Sequence, residues 1–433
     1  MIRKSKSYNP ATHLSLLIGG QMVSTLGNSL YLIVVVLYLV DLTDNAALVG
    51  TYHFFTSLPG FVLAPVAGAV ADRISRKGLI VGSDLARGAV MVTAGSLIMV
   101  GGLDAVPVVL LATVFIGSAN TLFFPAVNAI VPDIIQNPGD LRRANSLRGS
   151  LVQLSNLSGN AIGGAVYAVL GAPITFLING IGYFVSAVQE LFIHIAPEPA
   201  DTSPHGRGRP HVAEPAPSIR AVLRRSIDDI GTGLRYSLGH RNLRTIISLQ
   251  FIANLLYPPI VVALPFILRD VMQVPQAYFG YMLAVTLGGG IAGYILMASA
   301  RLNGTREVKV FRGAYSGLAA GLIAASSLSV PVMFPALFVC GAGVSIAHVS
   351  SLTVLQRAVP DNRRGRVFAF LEMATHLAAP LSYGMSGILV ELLRSRLWLL
   401  FPLISLGAAF LAVVVGFDRK LPLLFMSGST TGK

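Results

Sequence analysis

A single cysteine, Cys340, stands in 433 residues. One thiol makes no disulfide within the chain and no CxxC metal site, which removes the disulfide scaffolds and the zinc ribbons. Charge is scarce as well: Asp, Glu, Lys and Arg make up 12% of the chain and apolar residues 54%, where soluble domains carry about 25% charged residues. With a mean hydropathy of +0.70, this composition excludes an ordinary soluble protein and implies one that crosses a membrane many times. Acids are rarer than bases, 19 against 32, for a net charge of +13. The cations lie between apolar runs and form no basic face interleaved with aromatics, so no nucleic-acid partner is expected. The 8 histidines form no HxxxH or HxxEH set on one helix, and no GK[ST] follows the glycines of 163–164 or 288–290; no metal and no cofactor is implied. A membrane transferase would need acids paired for a metal. The only adjacent pair, Asp228 and Asp229, sits among Arg224, Arg225 and Arg235, where salt bridging accounts for it.

What the chain does have is a succession of long apolar runs. Six lie near residues 14–39, 48–71, 79–101, 106–131, 149–170 and 173–195, and six more near 245–268, 275–299, 309–329, 332–356, 366–391 and 397–416. About 20 residues at about 1.5 Å each cross a hydrocarbon layer of roughly 30 Å. The sequence therefore predicts an all-α membrane protein of twelve transmembrane helices: a first bundle over 1–195, a polar linker over 196–244 and a second bundle over 245–433. The linker opens with two Pro- and Gly-rich stretches, 197–199 and 204–210, of connector composition. Residues 219–238 space apolar residues helically among cations, as a helix lying on a membrane face does. The N-terminal Arg3, Lys4 and Lys6 resemble the basic region of a signal, but the run that follows is long and ends at no small-residue cleavage site, so an uncleaved first helix is expected. Placing that end inside the cell puts 29 of the 32 Lys and Arg on one side, leaving Arg269, Arg394 and Arg396 on the other. Both termini are thus expected in the cytoplasm, with the protein in the plasma or inner membrane.

One dense charge cluster interrupts the first bundle, Gly68-Ala-Val-Ala-Asp72-Arg73-Ile-Ser-Arg76-Lys77. Asp72 falls at the C-terminal end of a helix, where the macrodipole disfavours a carboxylate. It calls for a partner: Arg73, Arg76 or the N-terminus of another helix. Asp84 and Arg87, three apart in the next run, read as an ion pair extending that network. Gly68, Asp72, Arg73, Arg76, Lys77, Asp84 and Arg87 form a candidate conformational gate. A repeat relates the two bundles: Ala129-Ile-Val131-Pro132-Asp133, followed by Arg142 and Arg143, recurs as Arg357-Ala-Val359-Pro360-Asp361, followed by Arg363, Arg364 and Arg366. Both copies fall between the fourth and fifth runs of their six. Two related halves in one orientation are the arrangement of transporters that rock about a midplane site.

The charged turn is similar to the loop motif of the major facilitator superfamily, GxxxDRxGRK, with Ser75 in place of its glycine. Gly20-Gln21-Met-Val-Ser24-Thr-Leu-Gly27-Asn28, Phe124-Pro125-Ala126 through Ala144-Asn145-Ser-Leu147, and Arg364-Gly365-Arg366-Val367-Phe368 resemble its macrolide-efflux and siderophore-export branch. The resemblance implies two six-helix bundles with pseudo-two-fold symmetry, alternating access, and a monomeric exporter of a hydrophobic or amphiphilic small molecule, with protons as the coupling ion. It also implies that Asp72 locks onto the start of the eleventh helix near 365–368. A lipid or lysolipid translocator, or a metabolite importer or uniporter, is the alternative, because the chain departs from the exporter pattern. Asn28 stands where related exporters often carry an acid, 106–131 holds no charged residue, and Asn160 replaces the proline of an antiporter motif in the fifth run.

Polar uncharged residues inside the runs outline a candidate cavity: Gln21, Asn28 and Tyr31 in the first, Asn120 in the fourth, Asn156 and Asn160 in the fifth, and Asn254 and Tyr257 in the seventh. Each can bond a ligand or, for about 0.6–2 kcal/mol, a neighbouring helix. Pro258 and Pro259 remove two backbone donors and predict a bend in the seventh run. Glu372 and His376, four apart and so on one helical face, are the candidate proton-coupling pair; the plainer alternative pairs Glu372 with Arg366 at the interface. His53 and His348 read as packing histidines. Asp41, Glu190 and Glu391, near run ends, are expected to be solvated or paired.

Overall fold

The computed structural model describes residues 9–71, 74–101, 104–135, 138–194, 219–300, 304–418, 421 and 425. Among the described residues there is no strand. The helices are α1 (Pro10–Thr43), α2 (Ala46–Ala71), α3 (Arg76–Val100), α4 (Ala105–Ile134), α5 (Pro138–Leu191), α6 (Ile219–Gly239), α7 (Arg241–Leu256), α8 (Pro258–Phe266), α9 (Ala277–Ser299), α10 (Gly304–Ala325), α11 (Val330–Ala358), α12 (Asp361–Leu392) and α13 (Leu400–Phe417). The face at which α1 begins is called basal below, and the one at which it ends distal.

The 54 residues of α5 are two crossings joined at Gly171, whose φ of 69° and ψ of 177° suit a residue without Cβ. The first arm runs parallel to α1, with Gly159 against Leu26 and Ser29 and Gly163 against Ile33; the second runs antiparallel, with Gly27 against Asn179 and Gly20 against Ser186. Among the described residues nine helical segments are long and apolar enough to cross a membrane by length and composition. One of these is α5 with its two arms, and α10 and α12 add 22 and 32 residues of helix, an inventory compatible with twelve crossings. The seventh run is interrupted where expected. Tyr257 separates α7 from α8 while keeping helical dihedrals (φ −78°, ψ −47°), and a π turn, Ile267–Val271, follows α8. The prolines thus break the hydrogen-bond ladder without reversing the chain.

The buried apolar side chains show how the halves meet. At the distal end a single cluster joins the first half (Tyr31 to Val40, Val49, Tyr52) to the second (Ile260 to Leu268, Val390, Leu400). At the basal end there are two clusters, one per half: Leu17, Ile80, Phe123 and Val127 with their neighbours, and Leu243, Phe311, Val354 and Leu411 with theirs. The distal cluster thus spans both halves, whereas each basal cluster belongs to one half.

Candidate functional site

Distal closure rests on small residues and on charge. A Cβ placed on Gly50 of α2 would come within 2.7 Å of the Gly387 Cα on α12, so the two backbones touch only because both residues are glycine. One turn further in, His53 stacks on Tyr383 with ring centroids 4.5 Å apart. Above them Asp44, in the left-handed conformation just past α1, is bonded to both Arg269 and Arg394. The Arg269 hydrogen bond, reinforced by Arg394, holds the Asp44 carboxyl below its ordinary range. Glu391 accepts from the Ala46 backbone N–H at 3.0 Å, and Asp41 accepts from Tyr167 at 2.7 Å and from Gln276 at 2.6 Å. The boundary acids Asp41 and Glu391 are therefore paired, and most of their partners lie across the two halves.

Beneath this closure lie two cavity lobes. The first, of about 470 Å³, is walled by α1, α2 and α4 and runs along α2 from Tyr52 to Ala67, toward the basal side. Asn28, Tyr31 and Asn120 line it, with Thr113 sharing a 3.1 Å hydrogen bond with the Tyr31 hydroxyl. The second, of about 410 Å³, is walled by α7 to α11 and includes Asn254 and Tyr257, with His348 3.4 Å from the Gln250 amide nitrogen. Among the described residues that line them, neither lobe presents Asp, Glu, Lys or Arg. Three of the expected cavity residues lie elsewhere. Gln21 is buried and lines neither lobe, Asn156 accepts from the Ser29 hydroxyl at 2.7 Å, and the Asn160 backbone carbonyl packs against Gly280 where α5 crosses α9.

The expected Asp84–Arg87 pair is present and fully buried. The Arg87 guanidinium lies between the rings of Phe123 and Tyr183, 4.2 and 4.7 Å from their centroids, and also donates to the Asn120 Oδ1 at 2.5 Å. The Tyr183 hydroxyl donates to the Asn28 Oδ1 at 3.2 Å. Two amides of the first lobe are thus backed directly by this cluster. Glu190, expected at a solvated or paired boundary, is 0% exposed. The near-terminal position that suggested water is covered because α1 packs Gly19 and Gly20 tightly on Gln189 and Ser186; that pair of small residues was the available signal.

At the basal face Arg76 donates to both Asp133 oxygens at 2.6 Å and to the Ala129 carbonyl, and Lys77 donates to the Leu191 carbonyl at 2.7 Å. Gly68 lies in the last turn of α2. Asp72 and Arg73 lie outside the described residues. Glu372 and His376 are one turn apart on α12. The linker helix α6 lies along the start of α12: Asp229 accepts from Arg366 at 3.0 Å, Arg363 sits 4.9 Å over the Tyr236 ring, and Gly233 packs on the Arg366 carbonyl. Asp229 of the acid pair thus serves an inter-element contact, 137 residues away in the chain.

A cavity beneath a contact joining two halves is the arrangement of transporters that rock about a midplane site. The chain belongs to the Major Facilitator Superfamily, whose family profile matches residues 17–383. Macrolide efflux protein A of Streptococcus pyogenes is 22% identical over 417 residues, covering 93% of this chain and 96% of that protein. Multidrug efflux pump Tap of Mycobacterium tuberculosis is 24% identical over 342 residues, covering 78% and 77%. Among solved structures, a bacterial homologue of the human lysosomal transporter Spinster, inward-facing and unoccupied, matches with a TM-score of 0.65 at 14% identity over 98% of both chains.

Proposed function

We propose that the chain exports a hydrophobic or amphiphilic small molecule, of macrolide or drug-like size, by alternating access coupled to proton antiport. The observation that carries this reading is the pair of lobes lined by apolar side chains, amides and phenols, with volumes in the range of drug-sized sites. The likeness to efflux proteins supports it. Both termini and the basal face are assigned to the cytoplasm from the arginine and lysine distribution, so the distally fused state receives substrate from inside. The basal turn with Gly68, Asp72, Arg73, Arg76 and Lys77 acts as the latch of the opposite state, Asp72 meeting the start of α12. Glu372 and His376 are the coupling pair the sequence nominates. The test uses inverted vesicles with ethidium as fluorescent probe and erythromycin as competitor. Accumulation driven by an imposed proton gradient, and lost in Glu372→Gln, is expected. Accumulation that ignores the gradient would sink antiport, and transport that equilibrates in both directions would favour the uniporter or importer alternative.

A further inference from the structure

The second arm of α5 carries polar atoms that the packing leaves unmatched. Both Glu190 carboxyl oxygens, the Ser186 hydroxyl, the Gln189 Oε1 and the Asn179 amide are buried with no hydrogen-bond partner among the described residues, as is the Asp84 Oδ2 on α3. Ser186, one turn before Glu190, lies beside both the Asp84 and Glu190 carboxyls without reaching bonding geometry to either. Among the described residues the buried cation near them is Arg87, which is 3% exposed against 0% for Asp84 and for Glu190. Its guanidinium is already divided between Asp84 and Asn120. Two carboxyls thus share one guanidinium, and one of them receives no donor. An ionised carboxylate buried without donors costs several kcal/mol; the neutral acid costs less, about 1–3 kcal/mol.

The other titratable groups on the surrounding elements are committed or lie at the rim. Lys77 of α3 is on the Leu191 carbonyl. His13 of α1 and His194, just past α5, place their rings 5.3 Å apart at the exposed edge. From α4 come Asn120 and Phe123, while its acid Asp133 holds Arg76.

We infer that Glu190 is a proton-exchanging site of the first half, and that substrate in the first lobe competes with its proton through Asn120 and Arg87. A substrate donor that takes the Asn120 Oδ1 releases one arm of Arg87. The freed N–H groups turn to Glu190, whose carboxyl passes its proton to water at the exposed basal rim by Leu191 and becomes the second carboxylate of the pair. When the proton returns, Arg87 goes back to Asn120 and expels the substrate donor. By linkage, each ligand weakens the other by the same factor. The inference rests on the transport reading above, and it places a titrating group in the first half, distinct from Glu372 and His376 on α12.

Two measurements on the full-length protein in liposomes test it. Infrared spectra are expected to show the carbonyl stretch of a neutral, buried carboxylic acid, absent in Glu190→Gln and retained in Glu372→Gln. Ethidium should bind the wild type about ten-fold more tightly in mildly alkaline than in mildly acidic buffer, and Glu190→Gln should bind with the weaker affinity in both. A band that persists in Glu190→Gln, or a pH dependence that survives it, overturns the inference. If Glu190→Gln does not yield a monodisperse protein, Glu190→Asp replaces it and must shift the band in frequency; an unshifted band has the same overturning force. A wild type that shows the band yet neither binds nor moves ethidium or erythromycin fails the transport reading and with it the competition step, while the protonation of Glu190 stands.

Discussion

The two halves brace equivalent helix ends with ion pairs of opposite polarity. In the first half a cation at the start of α3, Arg76, holds an acid at the end of α4, Asp133; in the second an acid near the start of α10, Glu307, is held at 2.9 Å by a cation near the end of α11, Arg357. One turn or two deeper the difference widens. The first half buries Asp84, Arg87 and Glu190 together. In the second half Arg312 of α10 donates to the Val415 and Asp418 carbonyls at the end of α13, 3.2 and 3.0 Å away, where a cation meets the negative end of a helix dipole. Similar scaffolds thus carry a surplus carboxyl able to titrate on one side and a helix-capping cation on the other. The halves share a fold without sharing chemistry.

The comparison breaks most readily at two inner cations, the buried Arg87 and the half-buried Arg312. Arg87→Met leaves the Asp84 carboxylate buried with no counter-charge and should cost about 3–5 kcal/mol, whereas Arg312→Met loses hydrogen bonds to carbonyls and should cost about 1–2 kcal/mol. Thermal unfolding in detergent measures both, and equal losses would mean the first-half cluster is ordinary packing. Next come the reversed pairs. Glu307 is 4% exposed and Asp133 26%, so Arg357→Gln strands a buried acid for about 1–2 kcal/mol, while Arg76→Gln leaves a solvated one for less than about 1 kcal/mol. The reverse order would contradict the burial argument.

The smallest effect concerns pH at the distal face, where the halves meet. Asp44 is held below its ordinary value of 3.8 by Arg269 and Arg394. A depressed carboxyl contributes fully above that ordinary value and loses its contribution as the pH falls through the lowered one. Distal closure, followed by cysteine accessibility near Leu42, should therefore be unchanged between neutral and mildly acidic buffer and loosen only in strong acid, and Asp44→Asn should abolish that acid response. Loosening in mild acid would point to another group.

Much of this architecture is legible in the chain because lipid enforces it. Runs near 149–170 and 173–195 meet at the residue, Gly171, where α5 turns back. The helix ends are less legible: α5 begins at Pro138, ahead of its apolar run, since Asp140, Arg143 and Asn145 continue the helix beyond the hydrocarbon layer. Residue type and depth point to Asn28, Tyr31, Asn120, Asn254 and Tyr257 as cavity residues, and these line the lobes. Nothing local distinguishes them from Gln21, Asn156 and Asn160, because depth along the helix, as for Gln21 two turns before Asn28 on the same face, or rotation about its axis decides which amide meets the cavity. His348, read as a packing residue, lines the second lobe for the same reason. Glu190 depends on tertiary contact altogether. Its burial follows from the approach of α1, and no spacing within α5 encodes it.

The central claim is that the halves open on one face as they close on the other. Pulsed electron-resonance distances in liposomes test it directly, with spin labels at Leu42→Cys and Leu392→Cys, which are 47% and 77% exposed at the distal ends of α1 and α12, and, in a second protein, at Leu147→Cys and Ser299→Cys near the basal ends of α5 and α9. Under a proton gradient with ethidium present, the distal pair should gain a longer-distance population while the basal pair gains a shorter one, in matching proportion. Distances that stay fixed at both faces, or lengthen together, would contradict alternating access in this protein.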